Sequence, residues 1–303
     1  MNQRENVRIP VDDGAKLDAW FYRPAGIARA PAITMAPGYA GSKEHKLNRF
    51  AEAFSKAGFA VLLHDHRGFG PSSGEPRQEV DPWKQIADWR RAISYLESRP
   101  EVDPSRIGIW GSSFTGGHAL VLGAIDRRIK AVVAQIPTIS GYASGLRRIP
   151  ADKLPELHER LAEDDRARLR GDGPVFQKVV SHDTGEPAAY YNKAIVDFYL
   201  QDLPEGSWEN RITLRSILNA RMYEPGHWVD RVSPTPLLMV VAKDDTIAPT
   251  DLALAAYEKA LEPKRLALVD GNHCDPYLGQ FEASSAAALN WFIQYLRPSS
   301  NAQ

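Results

Sequence analysis

Short apolar runs alternate with longer amphipathic stretches along most of the chain. The runs at 32–36, 59–63 and 237–241 have the length and continuity of strands that are buried on both faces. In stretches such as 83–98, apolar residues recur every three or four positions, which predicts amphipathic helices. Strands and helices in this alternation predict an α/β fold, with a mostly parallel central sheet and helices on both of its faces.

The segment 138–232 interrupts this alternation. It contains a long, charged helical stretch at 154–170 and is rich in aromatic residues. We therefore assign 1–137 and 233–303 to the core of the fold, and 138–232 to a mostly helical cap or lid insertion. Its aromatic residues either line a pocket for a bulky, hydrophobic substrate or pack the insertion onto the core.

The composition excludes several classes of function. Hydrophobic residues make up 43% and charged residues 25% of the 303 positions, as in an ordinary globular protein. Lys and Arg number 37 against 38 Asp and Glu, so no basic excess indicates binding to nucleic acid or to an anionic membrane. We see no signal peptide and no apolar run of the roughly 20 residues that span a bilayer. A cytoplasmic protein is expected, and the sequence leaves open whether it forms a homodimer.

The segment 107–117 has the order of residues typical of a nucleophile elbow. An apolar strand runs into a turn of small residues, and a helix follows. In such a turn, with the pattern G-x-S-x-G, a strained backbone exposes a serine at the carboxyl edge of the sheet. Gly111 and Ser113 fit the pattern, while Thr115 takes the place of the second glycine. We expect Ser113 to be the nucleophile and Ser112 to be its rival; a serine that only caps the helix is the alternative.

Two later strand ends carry the partners that a nucleophilic serine needs, which are a base and a carboxylate that orients the base. Asp245 follows the apolar run 237–241, and His273 follows the next run. Both are therefore expected at the same edge of the sheet as Ser113. Asp244 is one position away, and a turn aspartate often bonds only its own backbone. The order Ser, Asp, His, each after a different strand, favours the catalytic interpretation.

Together these features resemble the α/β-hydrolase superfamily over nearly the whole chain, including the cap insertion typical of that family. Residues 65–72 match the family's D-x-R-G-x-G-x-S turn. The resemblance implies an oxyanion hole made of two backbone N–H groups, one after the nucleophile and one after an early strand. On this chain they are those of Phe114 and, within 36–41, of Tyr39. The family usually has His-Gly at the early turn where this chain has Pro-Gly, which a backbone donor tolerates.

The later part of the chain is similar to a narrower group. The segments 208–216, 223–225, 233–236 and 271–273 look like those of hydrolases that resemble dienelactone hydrolases and polyketide acyl-transferring hydrolases. Members of this group differ in substrate, so the similarity implies a mechanism more than a ligand.

The expected function is a serine hydrolase that cleaves a small-molecule carboxylic ester or thioester. Ser113 attacks the carbonyl, His273 acts as the base and Asp245 orients His273. The same triad also serves C–C bond cleavage, amide cleavage or acyl transfer, and a non-catalytic binding protein on this fold is a further alternative. We expect no cofactor. We also expect no metal, because the histidines at 64 and 66 lack further ligands at a recognisable spacing. Cys274 is expected to be a packing residue that points away from the site.

Overall fold

The computed structural model describes residues 3–297. In chain order its strands are β1 (Gln3–Pro10), β2 (Lys16–Arg23), β3 (Ala30–Ala36), β4 (Ala60–His64), β5 (Val102–Ser112), β6 (Ile129–Gln135), β7 (Phe176–Val180), β8 (Ala188–Tyr190), β9 (Ile212–Thr213), β10 (Leu237–Ala242) and β11 (Lys264–Val269). Its helices are α1 (Leu47–Lys56), α2 (Pro82–Ser98), α3 (Phe114–Ile125), α4 (Gly141–Arg148), α5 (Leu154–Leu169), α6 (Lys193–Tyr199), α7 (Arg215–Arg221), α8 (Thr250–Lys259) and α9 (Phe281–Leu296). Short 3₁₀ helices cover Ala151–Lys153, Pro225–Arg231 and Asp275–Tyr277.

Eight strands form the central sheet, in the order β1-β2-β4-β3-β5-β6-β10-β11. The pairs β1/β2 and β2/β4 are antiparallel, and every later neighbouring pair is parallel. The carboxyl ends of β3, β5, β10 and β11 therefore lie at one edge of the sheet. The expected α/β-hydrolase fold is confirmed, and its topology collects the loops that follow these strands.

Two apolar layers cover the sheet, because side chains alternate between its faces. On β2, Leu17, Ala19 and Phe21 join one cluster, while Trp20 and Tyr22 join the other. The first cluster includes buried residues of α2, α3 and α8, and the second includes those of α1 and α9. The near-continuous burial of β3, β4 and β10 agrees with the apolar runs in the sequence.

Between β6 and β10, the chain forms α4 to α7 and a small three-stranded sheet in the order β8-β7-β9. This sheet was not expected from the sequence, since β8 and β9 contain only three and two residues, too few to show a period of two. Buried residues of this region, among them Val180, Ile195 and Tyr199, belong to the same cluster as α2 and α3. Within residues 3–297, none of the helices has both the length and the apolar character needed to cross a membrane.

Candidate active site

The turn between β5 and α3 places Ser113 in a strained backbone conformation. Its φ is 59° and its ψ is −119°, in a region that residues other than glycine rarely adopt. A Cβ at Gly111 would lie 2.0 Å from the carbonyl oxygen of Thr115, so only glycine fits there. The Thr115 hydroxyl accepts a hydrogen bond from the Ser112 N–H (3.0 Å) and lies 3.1 Å from the Ala36 carbonyl, to which it can donate. Threonine is thus accommodated where the family pattern has a second glycine.

Ser113 and Ser112 point in different directions. Oγ of Ser113 lies 2.8 Å from Nε2 of His273. Oγ of Ser112 is fully buried beneath the turn, 2.6 Å from the Tyr277 hydroxyl and 3.3 Å from Nε2 of Gln135. The geometry therefore distinguishes the two serines, and it brings only Ser113 to the histidine.

His273 and Asp245 extend this arrangement from the ends of β11 and β10. Nδ1 of His273 lies 2.7 Å from Oδ2 of Asp245. The other oxygen, Oδ1, accepts hydrogen bonds from the backbone N–H groups of Ile247 (2.8 Å) and Ala248 (2.9 Å). Both carboxylate oxygens are satisfied and the side chain is buried, so the carboxylate is held in one orientation. The neighbouring Asp244 is exposed and takes no part.

The loop after β3 lies directly against the elbow. A Cβ at Gly38 would come within 3.2 Å of both the Ser113 Cβ and the Ser112 carbonyl oxygen. Among residues 3–297, no acceptor is hydrogen-bonded to the backbone N–H of Tyr39 or of Phe114. Backbone N–H groups without an acceptor, in the elbow and in the loop that packs against it, are compatible with the expected oxyanion site.

The motif at 65–72 contacts the chain that follows β3. The buried Asp65 accepts hydrogen bonds from the backbone N–H (2.6 Å) and the Nζ (2.5 Å) of Lys43, which also pairs with Asp18 (2.6 Å). Burial raises the pKa of Asp65 to about 6, against the opposing effect of the lysine charge. The Ser72 hydroxyl donates to the Asp65 carbonyl (2.8 Å). These contacts are structural, and they hold the chain that follows β3 against the end of β4.

A cavity with a volume of about 30 Å³ opens on Ser113 and His273. That space holds a water molecule or two and not an acyl chain. Its wall combines core residues with residues of the segment 138–232, namely Tyr190, Ile195, Phe198 and Tyr199. A larger cavity of about 410 Å³ lies next to it and shares Phe198 and Cys274 with it.

Cys274 also lines the smaller cavity, so the expectation that it points away from the site is wrong. Cys274 lies in a turn, and its Sγ lies 3.5 Å from the carbonyl of Ala194, a residue of the segment 138–232. Burial raises the pKa of the thiol to about 12, so it stays protonated and is a poor nucleophile at neutral pH.

His45 lines the cavity as well, and no motif in the sequence marks it. The backbone N–H of Ser42 donates to its Nδ1 (3.0 Å), so the proton of the neutral ring is on Nε2. Burial lowers the pKa of His45 to about 4, and the ring is therefore uncharged at neutral pH. Its aromatic neighbours come from the segment 138–232, which explains why the sequence pattern did not reveal it.

Comparisons with known proteins agree with this architecture. The model of a family described as X-Pro dipeptidyl-peptidase (S15 family) matches residues 13–275. The quorum-quenching protein AidA of Acinetobacter baumannii (strain MDR-ZJ06) is 35% identical over 278 residues, which cover 91% of this chain and 89% of AidA. A thiohydrolase of Eupenicillium brefeldianum is 30% identical over 305 residues, covering 99% of this chain and 96% of that protein.

A third relative is known both as a sequence and as a crystal structure. The polyketide transferase grgF of Penicillium sp is 32% identical over 294 residues, covering 97% of each chain. The crystal structure of the α/β hydrolase GrgF from Penicillium sp. sh18 superposes with a TM-score of 0.84 at 28% identity, over 97% of this chain and 99% of that one. The resemblance to α/β-hydrolases and to polyketide acyl-transferring members is thereby confirmed. The chain belongs to the S15 family, described by the name X-Pro dipeptidyl-peptidase, within the α/β-hydrolase superfamily.

Proposed function

We propose that this hydrolase cleaves a carboxylic ester or thioester through an acyl-enzyme on Ser113. The observation that carries the proposal is the continuous chain of contacts from Ser113 Oγ to His273 Nε2 (2.8 Å) and from His273 Nδ1 to Asp245 Oδ2 (2.7 Å). A serine hydroxyl is weakly nucleophilic by itself, and a base at this distance activates it.

The mechanism follows from the geometry. His273 Nε2 takes the proton of Ser113 Oγ as the oxygen attacks the carbonyl carbon, and Asp245 stabilises the resulting imidazolium. The N–H groups of Phe114 and Tyr39 donate to the oxyanion of the tetrahedral intermediate. When the intermediate collapses, His273 returns the proton to the leaving alcohol or thiol. Water, deprotonated by His273, then attacks the acyl-enzyme, and the acid leaves from Ser113.

The cavity walls support an apolar acyl group. Among residues 3–297, those that line the cavity at Ser113 include no Asp or Glu side chain, and most of them are aliphatic or aromatic. Relatives named as a thiohydrolase and a polyketide transferase favour a thioester among the carbonyl substrates.

The segment 138–232 forms the cap of the pocket in this proposal. Its side chains Phe198 and Tyr199 contribute to the wall near Ser113, which supports a role in the choice of acyl group. They also pack against the core, so the two roles suggested by the aromatic composition do not exclude each other in these residues.

The first experiment measures the intact mass after exposure to a fluorophosphonate. Wild type is expected to gain one adduct, Ser113→Ala none, and the matched control Ser112→Ala one, since the Ser112 hydroxyl faces Tyr277. Turnover by Ser113→Ala is expected to fall by roughly 10⁵-fold or more. An adduct on Ser113→Ala, or wild-type turnover by it, refutes the assignment.

The second experiment compares matched substrates that carry the same acyl chain as an oxygen ester, a thioester and an anilide. Hydrolysis of the ester or thioester, with the anilide much slower, is the expected result; preference for the anilide contradicts the proposal. Acyl transfer is a second candidate, favoured by the relative named a polyketide transferase. Adding a primary alcohol and measuring the ratio of new ester to free acid distinguishes transfer from hydrolysis.

A further inference from the structure

The four carbonyl groups of the loop 37–40 are all occupied by hydrogen bonds. His66 Nε2–H donates to the Pro37 carbonyl (3.1 Å), and the backbone N–H of Gly41 donates to the carbonyl of residue 38 (3.3 Å). The Tyr199 hydroxyl donates to the Tyr39 carbonyl, and Trp208 Nε1–H donates to the carbonyl of residue 40 (2.7 Å). The last two donors come from the segment 138–232, whereas the loop belongs to the core.

This loop needs external support because its backbone is strained. Ala40 has a φ of 51°, in the left-handed region that alanine rarely adopts. The N–H of Tyr39 belongs to the peptide plane on one side of its Cα, and its carbonyl belongs to the plane on the other side. The plane with the N–H also carries the carbonyl of residue 38, which accepts from the Gly41 N–H. Holding the carbonyls of Tyr39 and Ala40 fixes the two peptide planes that follow, so the N–H turns away from Ser113 only if this short turn is broken.

We propose that Tyr199 and Trp208 are positioning residues that set the oxyanion hole by holding the backbone of Tyr39 and Ala40. The inference rests on the proposed function, since it assigns Tyr39 as an oxyanion donor. It adds that the insertion completes the catalytic machinery itself, besides shaping the pocket.

The two donors are held in place by packing against each other and against His45. The rings of Tyr199 and Trp208 lie 5.6 Å apart, and His45 is within 5.3 Å of each of them. Tyr199 is buried, so removing its acceptor would leave a polar group without water. His45 is anchored in turn by the Ser42 N–H, and the cluster connects the insertion to the start of α1.

The test compares Tyr199→Phe and Trp208→Phe with wild type in fluorophosphonate labelling and in turnover of the preferred ester. We expect each variant to lower kcat and the labelling rate constant together by roughly 10- to 100-fold, less than the 100- to 1,000-fold effect of losing a donor outright. KM is expected to change by less than about threefold, because the lost interaction serves the transition state.

Tyr191→Phe is the matched control. Its hydroxyl also donates to a backbone carbonyl, that of Glu186 (2.7 Å), and lies in the same insertion, but it is exposed. It is expected to behave as wild type. Thermal unfolding checks that each variant is folded. If Trp208→Phe does not fold, Tyr199→Phe, which removes a single oxygen atom, carries the test.

The results distinguish a failure of this inference from a failure of the proposed function. Wild-type labelling and kcat in Tyr199→Phe overturn the inference and leave the proposed function intact. A rise in KM with unchanged kcat also overturns it, since Tyr199 then acts on substrate binding. A wild-type protein that is not labelled at all overturns the proposed function, and the inference with it.

Discussion

Replacing Asp245 by asparagine tests the role of the carboxylate that contacts His273, because the orientation of this side chain is fixed by its hydrogen bonds. In the native side chain, Oδ1 accepts from the N–H groups of Ile247 and Ala248, and Oδ2 accepts from His273 Nδ1. Asparagine has one oxygen and one NH₂ group. Facing the NH₂ toward the two backbone donors leaves both of them unsatisfied, at about 1–3 kcal/mol each. The oxygen is therefore expected to face the backbone, and the NH₂ to face His273.

An NH₂ group can only donate, so Asp245→Asn forces the His273 tautomer with the proton on Nε2. In that tautomer Nε2 cannot accept the proton of Ser113, although the distances stay the same. The comparable change in a serine protease triad lowers kcat by about 10⁴-fold, which corresponds to about 5.4 kcal/mol of transition-state stabilisation. We expect a loss of this size, with KM nearly unchanged.

The assay measures the fluorophosphonate labelling rate and kcat for wild type, Asp245→Asn and Asp244→Asn. Asp244 is the neighbouring aspartate, and its side chain is exposed, so its variant is expected to retain wild-type rates. Thermal unfolding establishes that the fold is intact. If folded Asp245→Asn keeps its rate within tenfold of wild type, the contact between Asp245 and His273 does not serve to activate Ser113.

Two further predictions concern stability. Gly111→Ala places a methyl group 2.0 Å from a backbone oxygen and is expected to destabilise the fold by about 3 kcal/mol or more. Gly173→Ala, where the methyl group meets open space, is the control and is not expected to destabilise the fold. Urea unfolding measures the stability of both variants. Burial lowers the pKa of His45 and of His66 to about 4, so the folded state binds fewer protons than the unfolded state between pH 6.5 and 4. Stability is therefore lost as the pH falls through this window, by roughly 2–3 kcal/mol per histidine at pH 4.5. Asp65, whose pKa is raised to about 6, opposes this loss by about 2 kcal/mol. Urea unfolding at pH 7 and at pH 4.5 measures the net change in stability, and equal stability at the two pH values contradicts the expectation.

The sequence by itself determined the fold class and the order of the candidate residues. Continuous apolar runs identify β3, β4 and β10, since strands covered on both faces need apolar side chains at every position. Ser113, Asp245 and His273 could be predicted because each lies within four residues of the end of a strand, and the ends of parallel strands meet at one edge. These are local patterns, and one sequence is enough to show them.

The spacing from Gly111 favours Ser113 over Ser112, and the tertiary structure adds that the two hydroxyls have different partners, His273 for Ser113 and Tyr277 for Ser112. It also revealed that Tyr199 and Trp208 meet His45 around the loop 37–40, although His45 lies more than 150 positions earlier in the chain. Donors that hold a backbone carbonyl need no particular spacing, since any side chain that folding brings near can supply the hydrogen bond. That is why the nucleophile can be recognised from the sequence, whereas the support of its oxyanion site becomes visible only when the chain is folded.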